Sequence, residues 1–245
     1  MKKMVAILLS AVLVAAAFSG CSKSESDSSE KESSNSKVMQ TVLNTAEYTL
    51  YQNIFYNDTK GDYDGKAASK EGVFTSIYDA YNSRERYYVW GYNDQTKCCD
   101  WQWELEITDT KKLPNNGSLV KVEGTYGVND DGLDGFWIVS PEITVEQKYP
   151  GNGADVDMKT MSNTLERVQV YNIINFPEIF EGKSVCGYGR VLDASTLEDA
   201  YYDNSWTIPI SGDFEVPAFG TLVEIEGEIK NGGIADCKIS ENTIY

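Results

Sequence analysis

A tandem repeat constrains this chain more than any other feature. From Trp103 it reads WELEITDTKKLPNNGSLVKVEG, from Trp206 WTIPISGDFEVPAFGTLVEIEG, and the two stretches align without a gap. Identities include Trp103 with Trp206, Ile107 with Ile210, Pro114 with Pro217, Gly117 with Gly220, Leu119-Val120 with Leu222-Val223, and Glu123-Gly124 with Glu226-Gly227. Upstream, YDGKAASKEGVF and FEGKSVCGYGRV correspond more loosely around Gly65-Lys66 and Gly182-Lys183. A unit of about 100 residues occurring twice means a pair of similar domains rather than a many-copy solenoid.

Within each unit, β-branched and aromatic residues alternate with polar ones between Gly, Asn and Asp clusters, which is the pattern of short strands. Strands are predicted over 66–79, 85–94, 98–108, 118–128 and 135–145, and again over 183–193, 204–211, 220–230 and 234–244. A helix is predicted before the second unit, where Asn163, Thr164 and Glu166 offer capping groups and Met161, Leu165, Val168 and Tyr171 recur at helical spacing. YPGNGADVD has the composition of a linker, placed at 150–157.

Short, twisted strands in units this small close into five-stranded barrels, and GTLVEIEG resembles the third strand of OB-fold proteins. The runs NDDGLDG and KNGG are hairpin-sized, so any helix is expected before the barrel. The fold class read here is mainly β: two tandem OB-like barrel units, 38–149 and 158–245, the second with a leading helix.

The chain opens MKKMVAILLSAVLVAAAFSGCS, two lysines followed by an apolar run from Met4 to about Phe18. That run is shorter than the roughly 18 to 20 residues of a spanning helix and reads as a secretion signal over 1–20. Its end, Phe18-Ser19-Gly20-Cys21, resembles the lipobox of bacterial lipoproteins, which implies cleavage before Cys21, acylation of its thiol, and a chain held on the extracytoplasmic side of the membrane lipid. Residues 21–37, rich in Ser, Glu and Lys, have too little apolar surface to offset their ordering entropy and read as a disordered tether. The formal charge is −17, and losing Lys2 and Lys3 takes it to −19. Such a surface repels phosphate backbones, so nucleic acid is not an expected partner. The wording around CCDWQWE and YNIINFPEIFEGKSV is also similar to uncharacterised lipoproteins of Gram-positive bacteria, a resemblance that implies no activity.

The pair Cys98-Cys99 invites a reading as a reaction centre. If the stretch is a strand, alternation puts Cys99, Trp101, Trp103, Leu105 and Ile107 on an apolar face. Cys98, Asp100, Gln102, Glu104 and Glu106 then form the other, and the thiols point apart. Zinc sites space their cysteines by two to four residues and often enlist His, of which the chain has none. A vicinal disulfide is the alternative, at the cost of an unusual backbone. Cys186 and Cys237 fall in the first and last strands of the second unit, which a closed barrel would bring within disulfide reach.

Trp103 recurs as Trp206 and so reads as scaffold, whereas Trp101 has no counterpart. Tyr88, Trp90 and Tyr92 join Trp101 as candidate ligand-stacking residues on a barrel face; the alternative is core or cross-strand packing. Asp130, Asp131 and Asp134, with Asn129, offer oxygen ligands suited to calcium, as do Asp58, Asp62 and Asp64. Neither run follows the twelve-residue calcium-loop spacing, and both are ordinary turn compositions. No phosphate loop, nucleophile elbow or Ser-His-Asp arrangement is present. The expectation is a lipid-anchored surface protein that binds an unidentified ligand or protein; the alternatives are an assembly component with no small ligand and a carboxylate-based hydrolase.

Overall fold

The computed structural model describes residues 39–57, 59–201 and 205–242. The signal, Cys21, the tether and Asp58 lie outside the described residues. Both repeat units follow one plan, two helices followed along the chain by five strands. The first has α1 (Thr45–Tyr56), α2 (Lys60–Tyr63), β1 (Ala67–Asp79), β2 (Arg84–Tyr92), β3 (Asp100–Leu105), β4 (Leu119–Val128) and β5 (Phe136–Gln147). After β6 (Val156–Asp157), the second has α3 (Asn163–Asn175), α4 (Pro177–Phe180), β7 (Ser184–Asp193), β8 (Thr196–Glu198), β9 (Thr207–Pro209), β10 (Leu222–Lys230) and β11 (Gly233–Glu241).

The first sheet closes into a barrel in the order β1-β2-β3-β5-β4, with β4 returning to β1. Closure depends on the long β1, whose first half pairs with β4 and whose second half pairs with β2, the change falling at Val73. Gly72 precedes that change, where a Cβ would stand 2.7 Å from the Trp90 carbonyl oxygen. The second sheet runs β11-β10-β7-β8-β9 with β6 alongside β7. A single parallel bridge from Ile210 to Ile234 stands where the first barrel has the β3–β5 pairing. The repeated Glu-Gly explains itself here. Gly124 and Gly227 each sit at a register shift, in β4 and β10, and a Cβ on either would lie 2.7 Å from a carbonyl oxygen of the neighbouring strand. Bulges of this kind bend a strand into a barrel wall.

The strand that resembles the third of an OB fold is the fourth, β4 or β10, so NDDGLDG and KNGG are β4–β5 and β10–β11 hairpins, and a short 3₁₀ turn at Thr110–Lys112 lies between β3 and β4. A helix also leads the first unit, its N-terminus capped by the Asn44 side chain accepting from the Glu47 amide.

One apolar cluster fills the first barrel, around Phe74, Val89, Trp101, Trp103, Val120 and Ile138. The other joins Val73, Ile77, Trp90 and Tyr92, on the outside of that barrel, to Met158, Leu165, Ile173 and the interior of the second sheet. The face of β2 and β3 that OB folds use for ligands is thus covered by α3 and the second sheet. Helix α3 is tied there by polar bonds: Thr164 N and Oγ1 donate to Asp100 at 2.7 and 2.9 Å, Asn163 Nδ2 donates to the Lys97 carbonyl at 2.8 Å, and Asn172 Nδ2 to the Tyr78 carbonyl at 2.9 Å. Its cap is Ser162, and its buried side holds Glu166, Gln169 and Asn172 beside Leu165, Val170 and Ile173, while Tyr171 is exposed. The stretch predicted as linker ends inside the fold, with Val156 and Asp157 buried and paired to β7.

Candidate functional site

Where the two sheets and the β2–β3 loop meet, a cleft of about 700 Å³ opens. Its walls carry Tyr92 from β2, Tyr149 after β5, Tyr188 from β7 and Tyr201 after β8. Met39, Met158 and Met161 supply apolar surface, and Lys97, Lys159, Glu166 and Glu224 supply polar groups. Pairing across β7 and β10 sets Tyr188 opposite Glu224. Lys159 bonds to Glu224 and places its ammonium 5.5 Å from the centre of the Tyr188 ring. Burial disfavours that ammonium, but the hydrogen bond from Lys159 to Glu224 and the electrostatic influence of Cys186, Glu224 and Tyr188 together outweigh it, so Lys159 is shifted above an ordinary lysine. Glu166 is buried, and burial together with the charge of Asp199 pushes its carboxyl well above the usual range, favouring the neutral acid. The cleft therefore presents tyrosine side chains, Lys97, a carboxyl held toward its neutral form and the Lys159–Glu224 ion pair. Such a surface suits a polar ligand with apolar faces, in a volume typical of small-molecule sites.

Of the four aromatic residues singled out in the sequence, three are buried away from this cleft. Tyr88, Trp90 and Trp101 are 0, 1 and 0% exposed. Trp101 lies inside the first barrel against Gly72 and Gly91, where Cβ atoms would come within 3.1 and 2.5 Å of its ring. Trp90 faces the second unit and donates its indole N–H to the Thr160 carbonyl at 3.0 Å. Tyr92, 5% exposed, is the only one of the four that reaches the cleft; its hydroxyl bonds Asn163 Oδ1 at 3.2 Å. The residues that were missed did leave a signal. Matched strands carry Glu71 opposite Lys121 in the first unit and Tyr188 opposite Glu224 in the second, an inversion of charge at a repeated position.

Two of the aspartates of NDDGLDG are engaged within the protein. Asp134 accepts from Tyr51 Oη at 2.9 Å and from Gln102 Nε2 at 3.4 Å, while the Asp131 carbonyl accepts from Arg86 and, at 3.5 Å, from Arg84. Among the described residues no group of three or more His, Cys, Asp or Glu is placed to hold a metal. Burial raises the Asp134 carboxyl to about 6 against an ordinary 3.8, despite the bonds from Tyr51 and Gln102. A raised folded-state value means the native protein holds a proton that the unfolded chain gives up. The associated stability is fully present below about pH 4 and is lost as pH rises toward 6. In urea unfolding across pH 3.5–7, Asp134→Asn is expected to remove that decline, with the difference from the parent changing between pH 4 and 6 and flat above.

The cysteine pairs also differ from expectation. Cys186 and Cys237 are not bonded. Strand β10 stands between their strands, with Glu226 paired to Cys186 on one side and to Lys238 on the other. Two strand spacings are about 9–10 Å, beyond the roughly 7 Å limit for a disulfide. Each buried thiol donates locally instead, Cys186 to Asp157 Oδ1 and Cys237 to the Ile234 carbonyl, both at 3.1 Å. Cys98 and Cys99 do not point apart. They precede β3 in a bend, with sulfurs 3.3 Å from each other. The polar face beyond them is buried too: Gln102 and Glu104 are 1 and 4% exposed.

The chain matches no protein-family model and no curated protein.

Proposed function

We propose that this is a lipid-anchored, extracytoplasmic binding protein that holds a small polyhydroxylated ring compound, a sugar or wall fragment, in the cleft between its two sheets. One observation carries the reading: four tyrosines from separate elements line one cavity that also holds the Lys159–Glu224 ion pair. Aromatic faces stack on the apolar faces of sugar rings, and the tyrosine hydroxyls, Glu166 and the Lys159–Glu224 pair offer donors and acceptors to ring hydroxyls. Anchoring rests on the lipobox at Cys21. Among the described residues no helix is long and apolar enough to cross a membrane.

The test is a thermal-shift screen of the chain from residue 38 against monosaccharides, wall fragments and divalent cations. A ligand at a hundred times its Kd stabilises the native state by about 2.7 kcal/mol. Tyr188→Ala is expected to abolish the shift while leaving the ligand-free melting temperature nearly unchanged, because Tyr188 is half-buried on the cleft wall. A shift that survives Tyr188→Ala would place the ligand elsewhere.

A second reading is favoured by the presence of Glu166 and Glu224 in the same cleft, one held toward the neutral acid and one paired with Lys159. A protonated carboxyl and a carboxylate are the groups a glycoside hydrolase needs. Release of reducing sugar from a bound glycan, lost in Glu166→Gln, would make the protein an enzyme.

A further inference from the structure

The loop between β2 and β3 is built to bring two thiols together. Asn93 N donates to the Cys99 carbonyl at 2.8 Å, closing the loop, and Lys97 N donates to the Asp94 carbonyl at 3.2 Å within it. Lys97 adopts φ 55°, a left-handed conformation that a residue with a side chain rarely holds, and this turns Cys98 and Cys99 out of strand geometry. Their sulfurs then lie 3.3 Å apart. Cys98 is exposed and takes a hydrogen bond from Thr96 Oγ1 at 3.2 Å. Cys99 is half-buried and in hydrogen-bonding contact with the Tyr48 side chain.

We infer that Cys98 and Cys99 form a reversible two-electron redox site that closes a vicinal disulfide by exchange with small-molecule disulfides. The exposed Cys98, as thiolate, attacks one sulfur of the oxidant RSSR; an S–S bond forms to Cys98 and one RS⁻ leaves. Cys99 thiolate then attacks the Cys98 sulfur, forming the Cys98–Cys99 bond and expelling the second RS⁻. The two thiol protons end on the two RSH released, the pair is oxidised by two electrons, and RSSR is reduced by the same two. The second step is favoured by proximity, since the attacking sulfur is already in contact with its target. Exposed disulfides in tight rings are the labile kind, which makes the site reversible rather than a structural staple.

The loop also contributes Gln95 and Lys97 to the cleft wall, and the Lys97 carbonyl holds Asn163 at the start of α3. Closing the ring therefore acts on the cleft. That consequence rests on the binding reading, whereas the redox pair does not, and the experiment addresses the pair alone.

The full-length chain in detergent is equilibrated with glutathione and glutathione disulfide at a series of ratios, quenched with N-ethylmaleimide, and its non-reduced peptides are weighed. The expected result is that the peptide carrying Cys98 and Cys99 passes from doubly alkylated to unalkylated and two hydrogens lighter in one step, reversed by dithiothreitol. Cys98→Ser should instead collect one glutathione on Cys99. In the reduced state, phenylarsine oxide should bind one to one and block both thiols, and either Cys→Ser variant should lose that capture. Glutathione on both thiols, a disulfide between two chains, or a dithiol unchanged at a large excess of oxidant would overturn the inference.

Discussion

Arg86→Met is expected to destabilise the protein by about 3–5 kcal/mol, the cost of removing one member of a buried ion pair. Arg86 is 5% exposed and bonds Asp79 Oδ2 at 2.6 Å, Glu104 Oε1 at 2.7 Å and the Asp131 carbonyl. One side chain thus links β1, β3 and the β4–β5 hairpin at one end of the first barrel. Without it Glu104, whose carboxyl burial already pushes up and the Arg86 charge pulls back down, loses its counter-charge inside the protein. The loss falls on the remaining charge more than on the pair, so Arg86→Met with Glu104→Gln should recover part of it. Urea unfolding of the single and double variants at pH 7 checks both statements. A loss below about 1 kcal/mol would assign the network the modest worth of a surface ion pair.

Trp90→Ala is expected to cost about 3–5 kcal/mol, as large-to-small changes at buried aromatic positions do. Trp90 is 1% exposed, packs edge-to-face with Tyr92 at 5.3 Å between centroids, and satisfies the Thr160 carbonyl. Its place in the structure makes the effect distinctive. The ring lies outside the first barrel, in the apolar cluster shared with α3 and the second sheet. Its loss should therefore lower the melting of both units together, read by proteolysis at 150–157 becoming faster as the variant is warmed. A first unit that loosens while the second keeps its parent melting temperature would mean that the shared cluster contributes little. Against a total stability of about 5–15 kcal/mol, either substitution consumes a large fraction.

The strands were legible because period and punctuation agreed. The predicted ranges for β1, β2, β4, β5, β7, β10 and β11 fall within a few residues of those found. Helix α1 was missed although Asn44 and Glu47 form a capping pair, because its buried residues are only Tyr51 and Ile54 and no apolar stripe announces it. The three-residue β8 is too short for alternation to register. The face of β3 bearing Gln102 and Glu104 is polar in sequence and yet buried. Here the covering layer comes from far along the chain, with Gln102 bonded to Tyr51 and Ser162, and nothing local encodes it. The cysteine pair was misread for a similar reason. The left-handed turn that takes it out of the strand falls at Lys97 rather than at a glycine, so the usual marker of such a turn is missing. The cleft was the least legible feature, since its tyrosines come from four separate elements and only the exchange of Lys121 for Glu224 hinted that the second sheet had acquired a new surface.

The claim that the cleft is the binding site is tested most directly by NMR mapping of a sugar or wall fragment that raises the melting temperature. The expected result is that the rings of Tyr92, Tyr149, Tyr188 and Tyr201 and the ammonium groups of Lys97 and Lys159 shift together and saturate with a single affinity. Shifts confined instead to the β1–β2 and β4–β5 hairpins, residues 80–83 and 129–135, would contradict the account and return the ligand to the loops that OB folds ordinarily use.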